Sequence, residues 1–408
     1  MKKSTLKKYA ELIVKCGVNV QKGQDVIINA DLDQPEFVKM VVEYCYKNGA
    51  RKVTVDWSYQ PLAKLHNKYC SLKTLSTVDD YIVERWKMRV KTLPATIWLD
   101  SEDPDGLKGM NDKKAAQARM ATFPIIKPYR DEMENKYQWC IAAVPGKKWA
   151  KKVFPGFPVN KAVEKLWEAI LQASRVDEDP IKAWEKHNKN LAERCAYLNS
   201  LHLKSLTYKS SNGTDFTVGL LDKSLFVGGG ETTLGSNIYY NPNIPSEECF
   251  TTPRKGDIEG VVYSTKPLSY NGQLIENFYI VFEHGKVKEV HAEKGEEVLR
   301  QMVNMDEGAS MLGEVALIPY NSPISNMNIL FYNTLFDENA SCHLALGMGY
   351  TNCIEGFENY TMKEMHEMGV NDSMIHVDFM IGSEDLSIVG TTKNGEKVQI
   401  FQNGNWAF

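Results

Sequence analysis

Residues 25–57 read DVIINADLDQPEFVKMVVEYCYKNGARKVTVDW. The short apolar run Asp25–Ala30 is typical of a buried parallel strand. A helix is predicted to follow it, with Asp33 as the candidate N-cap and an end at Gly49, because glycine can take the left-handed conformation there. The β-branched run Arg51–Trp57 predicts the next strand. A strand, a helix and a strand within about 30 residues make one βαβ unit.

The remainder of the first half continues this alternation of strands and helices. Further strands are predicted at Thr96–Asp100 and Trp139–Val144, and further helices at Asn160–Ser174 and Pro180–Leu198. These predictions rest on apolar runs for the strands and on apolar residues at helical spacing for the helices. We therefore expect an α/β N-terminal domain with βαβ units over residues 1–198.

After residue 198 the chain is rich in β-strand patterns. Turn dipeptides separate pairs of predicted strands at Asn212-Gly213, His284-Gly285 and Asn394-Gly395, a typical hairpin signal. We expect a β-rich α+β domain over residues 199–408. Several hairpins imply edge strands that need covering, which favours a homodimer.

Composition and charge exclude several classes of protein. The chain has 408 residues, of which 43% are hydrophobic and 25% are charged, and a net charge of −4. This balance is ordinary for a globular protein and argues against binding to nucleic acid or to an acidic membrane surface. No apolar run approaches the ~20 residues of a membrane span, and no signal peptide is recognisable. We expect a cytoplasmic protein.

The eight cysteines are scattered without a C-x-x-C pair, so we expect reduced thiols and no thiolate zinc site.

Possible metal ligands concentrate after residue 240. They lie in four short segments: Glu247-Glu248 in NIPSEECFTTP, Glu314 in LGEVALI, Glu338 and His343 in FDENASCHLALGMGY, and His376 and Asp378 in IHVDFMIG. All four segments lie beside apolar runs, where a carboxylate is costly unless it is paired or bound to metal.

The last segment has a clear physical logic. In a strand, alternate residues point to opposite faces. Val377 and Phe379 can therefore enter a core while His376 and Asp378 face together into a cavity. An imidazole and a carboxylate on one side of a rigid strand suit Zn²⁺, Co²⁺ or Mn²⁺.

Each segment also has a simpler explanation. Two adjacent glutamates are usually a solvated surface pair, and His-x-Asp occurs by chance. His343, if it lies on a helix face, could be an ordinary half-buried histidine. The four segments together favour a metal site over these separate explanations.

At these segments the sequence resembles the thermophilic metallo-aminopeptidase family, of aminopeptidase T and aminopeptidase S type with Gram-positive relatives. The blocks IPSEECFTTP, LGEVAL, FDENASCHLALGMGY and IHVDFMIG stand in the family's order, and the resemblance extends to the NGNWAF ending. It implies homodimers and two divalent metal ions per chain (zinc, cobalt or manganese) in a catalytic metal-binding domain, residues 199–408. The metal ligands that it implies are Glu248, Glu314, Glu338, His343, His376 and Asp378.

The resemblance also implies a reaction. Amino acids would be released from the free N-terminus of peptides by attack of a hydroxide bound at a dinuclear metal site. Glu314 is our choice for the bridging ligand. Glu247, next to a ligand, is the candidate general base, with a purely structural carboxylate as the alternative. Tyr350, set beside the metals in the family, could donate a hydrogen bond to the developing oxyanion.

Two other functions stay open from the residues alone. A carboxylate-based glycoside hydrolase could use Glu247 or Glu248 with Glu314, but it would not need the two histidines and Asp378. A non-catalytic protein could bind a ligand through its βαβ half.

Overall fold

The computed structural model describes residues 1–408 as two compact units. The first comprises residues 1–188 and 229–245, and the second comprises residues 189–228 and 246–408. The predicted boundary at residue 198 lies inside a helix that begins in the first unit and ends in the second.

Twelve α-helices are present: α1 Lys3–Leu12, α2 Pro35–Lys47, α3 Gln60–Tyr69, α4 Leu72–Leu75, α5 Asp80–Thr92, α6 Asp112–Met133, α7 Lys147–Val153, α8 Val159–Ala173, α9 Pro180–Ser200, α10 Glu296–Val303, α11 Thr334–Glu338 and α12 Met362–Glu367. No helix is both long and apolar enough to cross a membrane.

Twenty strands form the sheets: β1 Asp25–Asp31, β2 Lys52–Ser58, β3 Ala95–Asp100, β4 Trp139–Ala143, β5 Leu203–Lys209, β6 Asp215–Leu220, β7 Glu231–Thr232, β8 Tyr239–Tyr240, β9 Asn243–Ile244, β10 Cys249–Thr251, β11 Pro253–Tyr263, β12 Leu268–Tyr270, β13 Gln273–Glu283, β14 Lys286–Lys294, β15 Leu312–Leu317, β16 His343–Gly347, β17 His376–Met380, β18 Ser387–Thr392, β19 Lys397–Gln402 and β20 Asn405–Trp406.

The first unit contains a five-stranded parallel sheet in the order β2-β1-β3-β4-β9. The predicted βαβ unit is confirmed as β1, α2 and β2. The apolar side of α2, which includes Phe37 and Val41, is buried, as its helical spacing predicts.

The predicted N-cap of α2 is wrong. Gln34 occupies that position, and no side chain caps the helix. The carboxylate of Asp33 instead accepts hydrogen bonds from the Ser101 hydroxyl at 3.4 Å and from the Lys147 amide at 3.5 Å. Those partners are distant in sequence, so the local pattern could not reveal them.

The second unit is built mainly from two antiparallel sheets. Nine strands form the larger one in the order β12-β13-β11-β6-β5-β18-β19-β20, with β14 paired to β13. The predicted hairpins are confirmed as β5–β6, β13–β14 and β18–β19. Their turn glycines, Gly213, Gly285 and Gly395, all have positive φ, which favours glycine. The smaller sheet has the order β10-β15-β16-β17.

One side of the smaller sheet faces the core of the second unit. Val315, Leu344 and Phe379 belong to the same buried apolar cluster as strand residues of the larger sheet. The ring of Phe379 lies 5.8 Å from that of Phe278 on β13. Because side chains alternate along a strand, the remaining residues of β15, β16 and β17 are directed to the opposite side of the smaller sheet.

Candidate metal centre

The smaller sheet aligns the predicted ligands through its register. Ala345 on β16 lies opposite Glu314 on β15 and opposite Asp378 on β17. His376 lies opposite Gly347. Residues directly opposite in an antiparallel pair share a face, so these carboxylates and the imidazole project from one side of the sheet. The small side chain at position 345 leaves room between the two carboxylates.

The alternation predicted for β17 is confirmed. Val377 and Phe379 belong to the apolar cluster, whereas Asp378 is buried among polar groups on the other face. His343 occupies the first position of β16, whose Leu344 and Leu346 also enter the cluster. The expectation that His343 could lie on a helix face is therefore wrong, because the apolar alternation after it belongs to a strand.

The Glu247-Glu248 pair does not lie in a strand. Both residues precede β10, which begins at Cys249, and both are buried, with exposed fractions of 7% and 5%. The strand rule that would turn the two side chains to opposite faces does not apply to an irregular backbone. A solvated surface pair, the simpler explanation, is excluded by their burial.

Five of the predicted ligands come together in two overlapping groups that could each hold a metal ion. Glu248, Glu314 and His343 form one group, and Glu314, His376 and Asp378 form the other. Glu314 is the shared member. Its Oε1 lies 3.9 Å from Nε2 of His343, and its Oε2 lies 3.1 Å from Nε2 of His376.

Both histidine rings are oriented by backbone carbonyls. Nδ1 of His343 lies 2.8 Å from the carbonyl oxygen of Glu338, and Nδ1 of His376 lies 2.7 Å from that of Met348. A carbonyl oxygen only accepts hydrogen bonds, so Nδ1 is the donor in each ring and Nε2 is directed to the carboxylates. Metal-binding histidines are usually held in this way.

Glu338 and Tyr350 complete the neighbourhood. Glu338 is the last residue of α11 and shares a hydrogen bond with Asp378, although it belongs to neither three-residue group. The hydroxyl of Tyr350 lies 3.3 Å from Nε2 of His376, and the two rings lie 4.9 Å apart. The Tyr350 backbone is fixed on both sides by the hydroxyl of Thr252.

Burial and crowding of like charges dominate the electrostatics. Burial, together with the neighbouring carboxylates, raises the pKa of Glu248 and that of Glu338 well above the usual value. Burial alone would lower the pKa of His376, but the negative charges of Asp378 and Glu314 outweigh it, so this pKa is raised. For Asp378, burial is outweighed by His376, and its pKa is lowered. Without a cation, the cluster retains protons that a metal would displace.

Comparisons with known proteins show the family of this chain. Residues 2–406 match the family model of the thermophilic metalloproteases (M29). The chain belongs to this family. Aminopeptidase AmpS of Bacillus subtilis (strain 168) is 44% identical over 405 residues, which are 99% of this chain and 98% of that protein. Aminopeptidase T of Thermus thermophilus is 39% identical over 406 residues, again 99% and 98% of the two chains.

Solved structures agree at the level of the fold. The structure of wild-type AmpT from Thermus thermophilus superposes with a TM-score of 0.89 at 38% identity and covers all of both chains. A dioxygenase from Pseudomonas putida reaches a TM-score of 0.54 at 12% identity, which concerns the fold alone.

The residues of this thermophilic metalloprotease family member fit a divalent cation. Asp378 Oδ1 is buried and has no hydrogen-bond donor, although Nε2 of His376 lies 3.3 Å away. Carboxylate oxygens combined with imidazole nitrogens are the donors that zinc, cobalt and manganese accept. A buried carboxylate oxygen that lacks a hydrogen-bond donor and lies next to imidazole nitrogens is the arrangement expected of a metal ligand.

Sequence reasoning missed two residues that shape the centre. Ala345 separates Glu314 from Asp378, and Asn339 lies next to Glu338 with its side chain fully buried. Neither carries a carboxylate or an imidazole, so the residue types typical of a zinc, cobalt or manganese site do not point to them. The signal available was their place inside the FDENASCHLALGMGY block.

Proposed function

We propose that this chain is a metal-dependent aminopeptidase that holds two divalent ions per chain and releases N-terminal amino acids from peptides. The observation that carries the proposal is the position of Glu314, whose two oxygens face different histidines and which belongs to both three-residue groups. A shared carboxylate is the arrangement that a bridging ligand of a two-metal site requires. The aminopeptidase names of the relatives support the reaction.

The six predicted ligands divide between two ions. Glu248 and His343 would hold one, and His376 and Asp378 the other, with Glu314 shared. Glu338 would join them by exchanging its hydrogen bond to Asp378 for a metal. Zinc, cobalt or manganese ions in such a site act as Lewis acids and lower the pKa of water towards neutrality.

Tyr350 is suited to donate a hydrogen bond. Burial and the surrounding carboxylates raise the pKa of its hydroxyl well above the usual value, so the hydroxyl stays protonated at neutral pH. It can therefore donate to the scissile carbonyl oxygen as negative charge develops there.

Glu247 is proposed as the group that moves a proton. It is buried beside Glu248, and its backbone is held by a hydrogen bond from its N–H to Oδ1 of Asn339 at 2.7 Å. A carboxylate that is not itself needed to hold metal can accept the proton of the attacking water and deliver it to the leaving amine.

The charge of the site favours peptides with a free N-terminus. Five carboxylates lie in or beside the proposed centre, one more than the charges of two divalent ions would neutralise: Glu247, Glu248, Glu314, Glu338 and Asp378. An N-terminal α-ammonium group is a cation that these groups attract over a short range. An internal peptide bond has no such charge, and this difference supports release of terminal residues only.

Three finer predictions are retained as proposals. The active protein is a homodimer, it acts in the cytoplasm, and its metal is zinc, cobalt or manganese. Light scattering at micromolar concentration measures the first directly, and a monomeric mass would contradict it. No specific observation favours a glycoside hydrolase or a non-catalytic binding protein.

Metal removal tests the proposed function. Dialysis against a chelator should abolish hydrolysis of aminoacyl-p-nitroanilides, and addition of Zn²⁺, Co²⁺ or Mn²⁺ should restore it. The matched control is the same substrate with an acetylated α-amine. It should not be cleaved, because acetylation removes the positive charge of the substrate's α-ammonium group. Full activity in a protein shown to be metal-free by elemental analysis would refute the proposal.

A further inference from the structure

Asn339 connects two of the segments that carry the candidate ligands. It directly follows Glu338 at the end of α11 and is fully buried, and its side chain reaches the loop that carries Glu247 and Glu248. Asn339 and Glu247 are 92 positions apart in the chain.

Both the oxygen and the NH₂ group of the Asn339 side-chain amide make hydrogen bonds. Oδ1 accepts the backbone N–H of Glu247 at 2.7 Å. Nδ2 donates to the carbonyl oxygen of Leu335 at 2.9 Å and lies 3.4 Å from Oε1 of Glu338. The reversed amide would place its NH₂ group against the Glu247 N–H and its oxygen against the Leu335 carbonyl, so the partners fix a single orientation.

Each contact constrains a different element. The bond to Leu335 occupies one of the carbonyls that the end of a helix leaves without a partner, and thereby ties the side chain of Asn339 to the last turn of α11. The contact with Glu338 limits where that carboxylate can turn. The bond from Glu247 fixes the backbone one residue before Glu248, which belongs to a candidate metal group.

We propose that Asn339 is a positioning residue that sets the distance between Glu338 and the Glu247-Glu248 loop, and thereby the affinity of the centre for metal. The inference rests on the proposed metal-dependent function. Asn339 acts through the backbone of Glu247 and the carboxylate of Glu338 and does not itself hold an ion. Partners outside the ligand set usually change metal affinity when they are removed.

The test uses Asn339→Ala in the full chain. Metal-free protein is titrated with Co²⁺ against a competing chelator, and the dissociation constant should rise by roughly 10–100-fold. Hydrolysis at limiting Co²⁺ should fall correspondingly and recover when Co²⁺ is added in excess. An unchanged dissociation constant would overturn the inference.

Asn67→Ala is the matched control. Asn67 is also a buried asparagine whose amide holds a backbone from both ends, with Oδ1 accepting the Asn111 N–H at 3.0 Å and Nδ2 donating to the Asn111 carbonyl at 3.1 Å. It lies in the first unit, whereas all the predicted ligands lie in the second. Both variants should lower the midpoint temperature of the metal-free protein, but only Asn339→Ala should change Co²⁺ affinity. An equal loss of affinity in both would assign the effect to general stability and overturn the inference.

Asn339→Asp covers the case in which the alanine variant does not fold. It retains the shape and the acceptor for Glu247, but places a carboxylate oxygen where Nδ2 faces Glu338. Repulsion should displace Glu338 and weaken Co²⁺ binding, and binding equal to that of the unmodified chain would refute the positioning role. Failure of the unmodified chain to bind Co²⁺ would refute the proposed function itself, which is a separate outcome.

Discussion

Ala345 offers a sharp test of how closely the ligands converge. It is fully buried and lies opposite both Glu314 and Asp378. Directly opposite residues have Cβ atoms about 4.5–5.5 Å apart. The change Ala345→Val adds two methyl groups, each about 1.5 Å beyond Cβ, between the two carboxylates.

The geometry sets the size of the effect. A methyl group directed at a neighbour would approach the Cβ of Glu314 or Asp378 to about 3–4 Å, at or inside the ~3.5–4.0 Å at which carbon atoms attract best. The carboxylates must then shift by several tenths of an ångström, whereas metal–ligand distances vary within about 0.2 Å. We expect a 10–100-fold loss of metal affinity, which is about 1.4–2.8 kcal/mol.

Overpacking also lowers stability, and a control separates the two effects. Extra methyl groups in a packed interior cost about 1–3 kcal/mol, or about 2–4 °C in midpoint temperature per kcal/mol for a unit of this size. Ala142→Val, at a fully buried alanine on β4 of the first unit, carries the same kind of cost. Calorimetry of the metal-free proteins measures stability, and Co²⁺ titration measures affinity. Ala345→Val with normal Co²⁺ affinity would refute the convergence of Glu314 and Asp378 on one metal pair.

Three further predictions follow from the centre. Glu248→Gln should lose metal and activity together, whereas Glu247→Gln should retain both ions by elemental analysis and lose most of kcat; near-normal turnover of the latter would remove Glu247 from the mechanism. Tyr350→Phe should lower kcat by roughly 10²-fold with little change in KM, and a rise in KM alone would make it a substrate contact. The metal-free protein should lose thermal stability as pH rises from about 5 to 8, because groups with raised pKa values, Glu338 and His376 among them, stabilise the fold below their unfolded pKa and cease to do so as they lose protons. Added metal should remove most of this dependence, and a metal-free midpoint temperature that rises over the same range would contradict the assignment.

The local part of the centre was predictable and the assembly was not. Strand periodicity alone placed His376 and Asp378 on one face of β17, because a side chain's face depends only on its immediate neighbours. The register that sets Ala345 between Glu314 and Asp378 depends on pairing between distant segments, which no local pattern encodes. The grouping of the ligands came from family resemblance.

The errors have the same origin. Asp33 looks like an N-cap in its own segment, but its carboxylate is held by Ser101 and Lys147. Asn339 was overlooked because an asparagine after a helix gives no sign of a partner 92 residues away. The roles of Asp33 and Asn339 are set by contacts with residues that are distant in sequence. Local propensity is a weak guide to such contacts.

The chain passes between its two units three times, after residues 188, 228 and 245. The third passage directly follows β9, which pairs in the first unit with β4, and it leads into the loop of Glu247 and Glu248. A fragment that starts at residue 189 would therefore carry β9 without its pairing strand. Expressing the second unit alone as one continuous segment would leave that short strand unpaired just ahead of Glu248. A divided chain could restore the pairing of β9 with β4 only if residues 1–188 were supplied as a separate, complementing fragment.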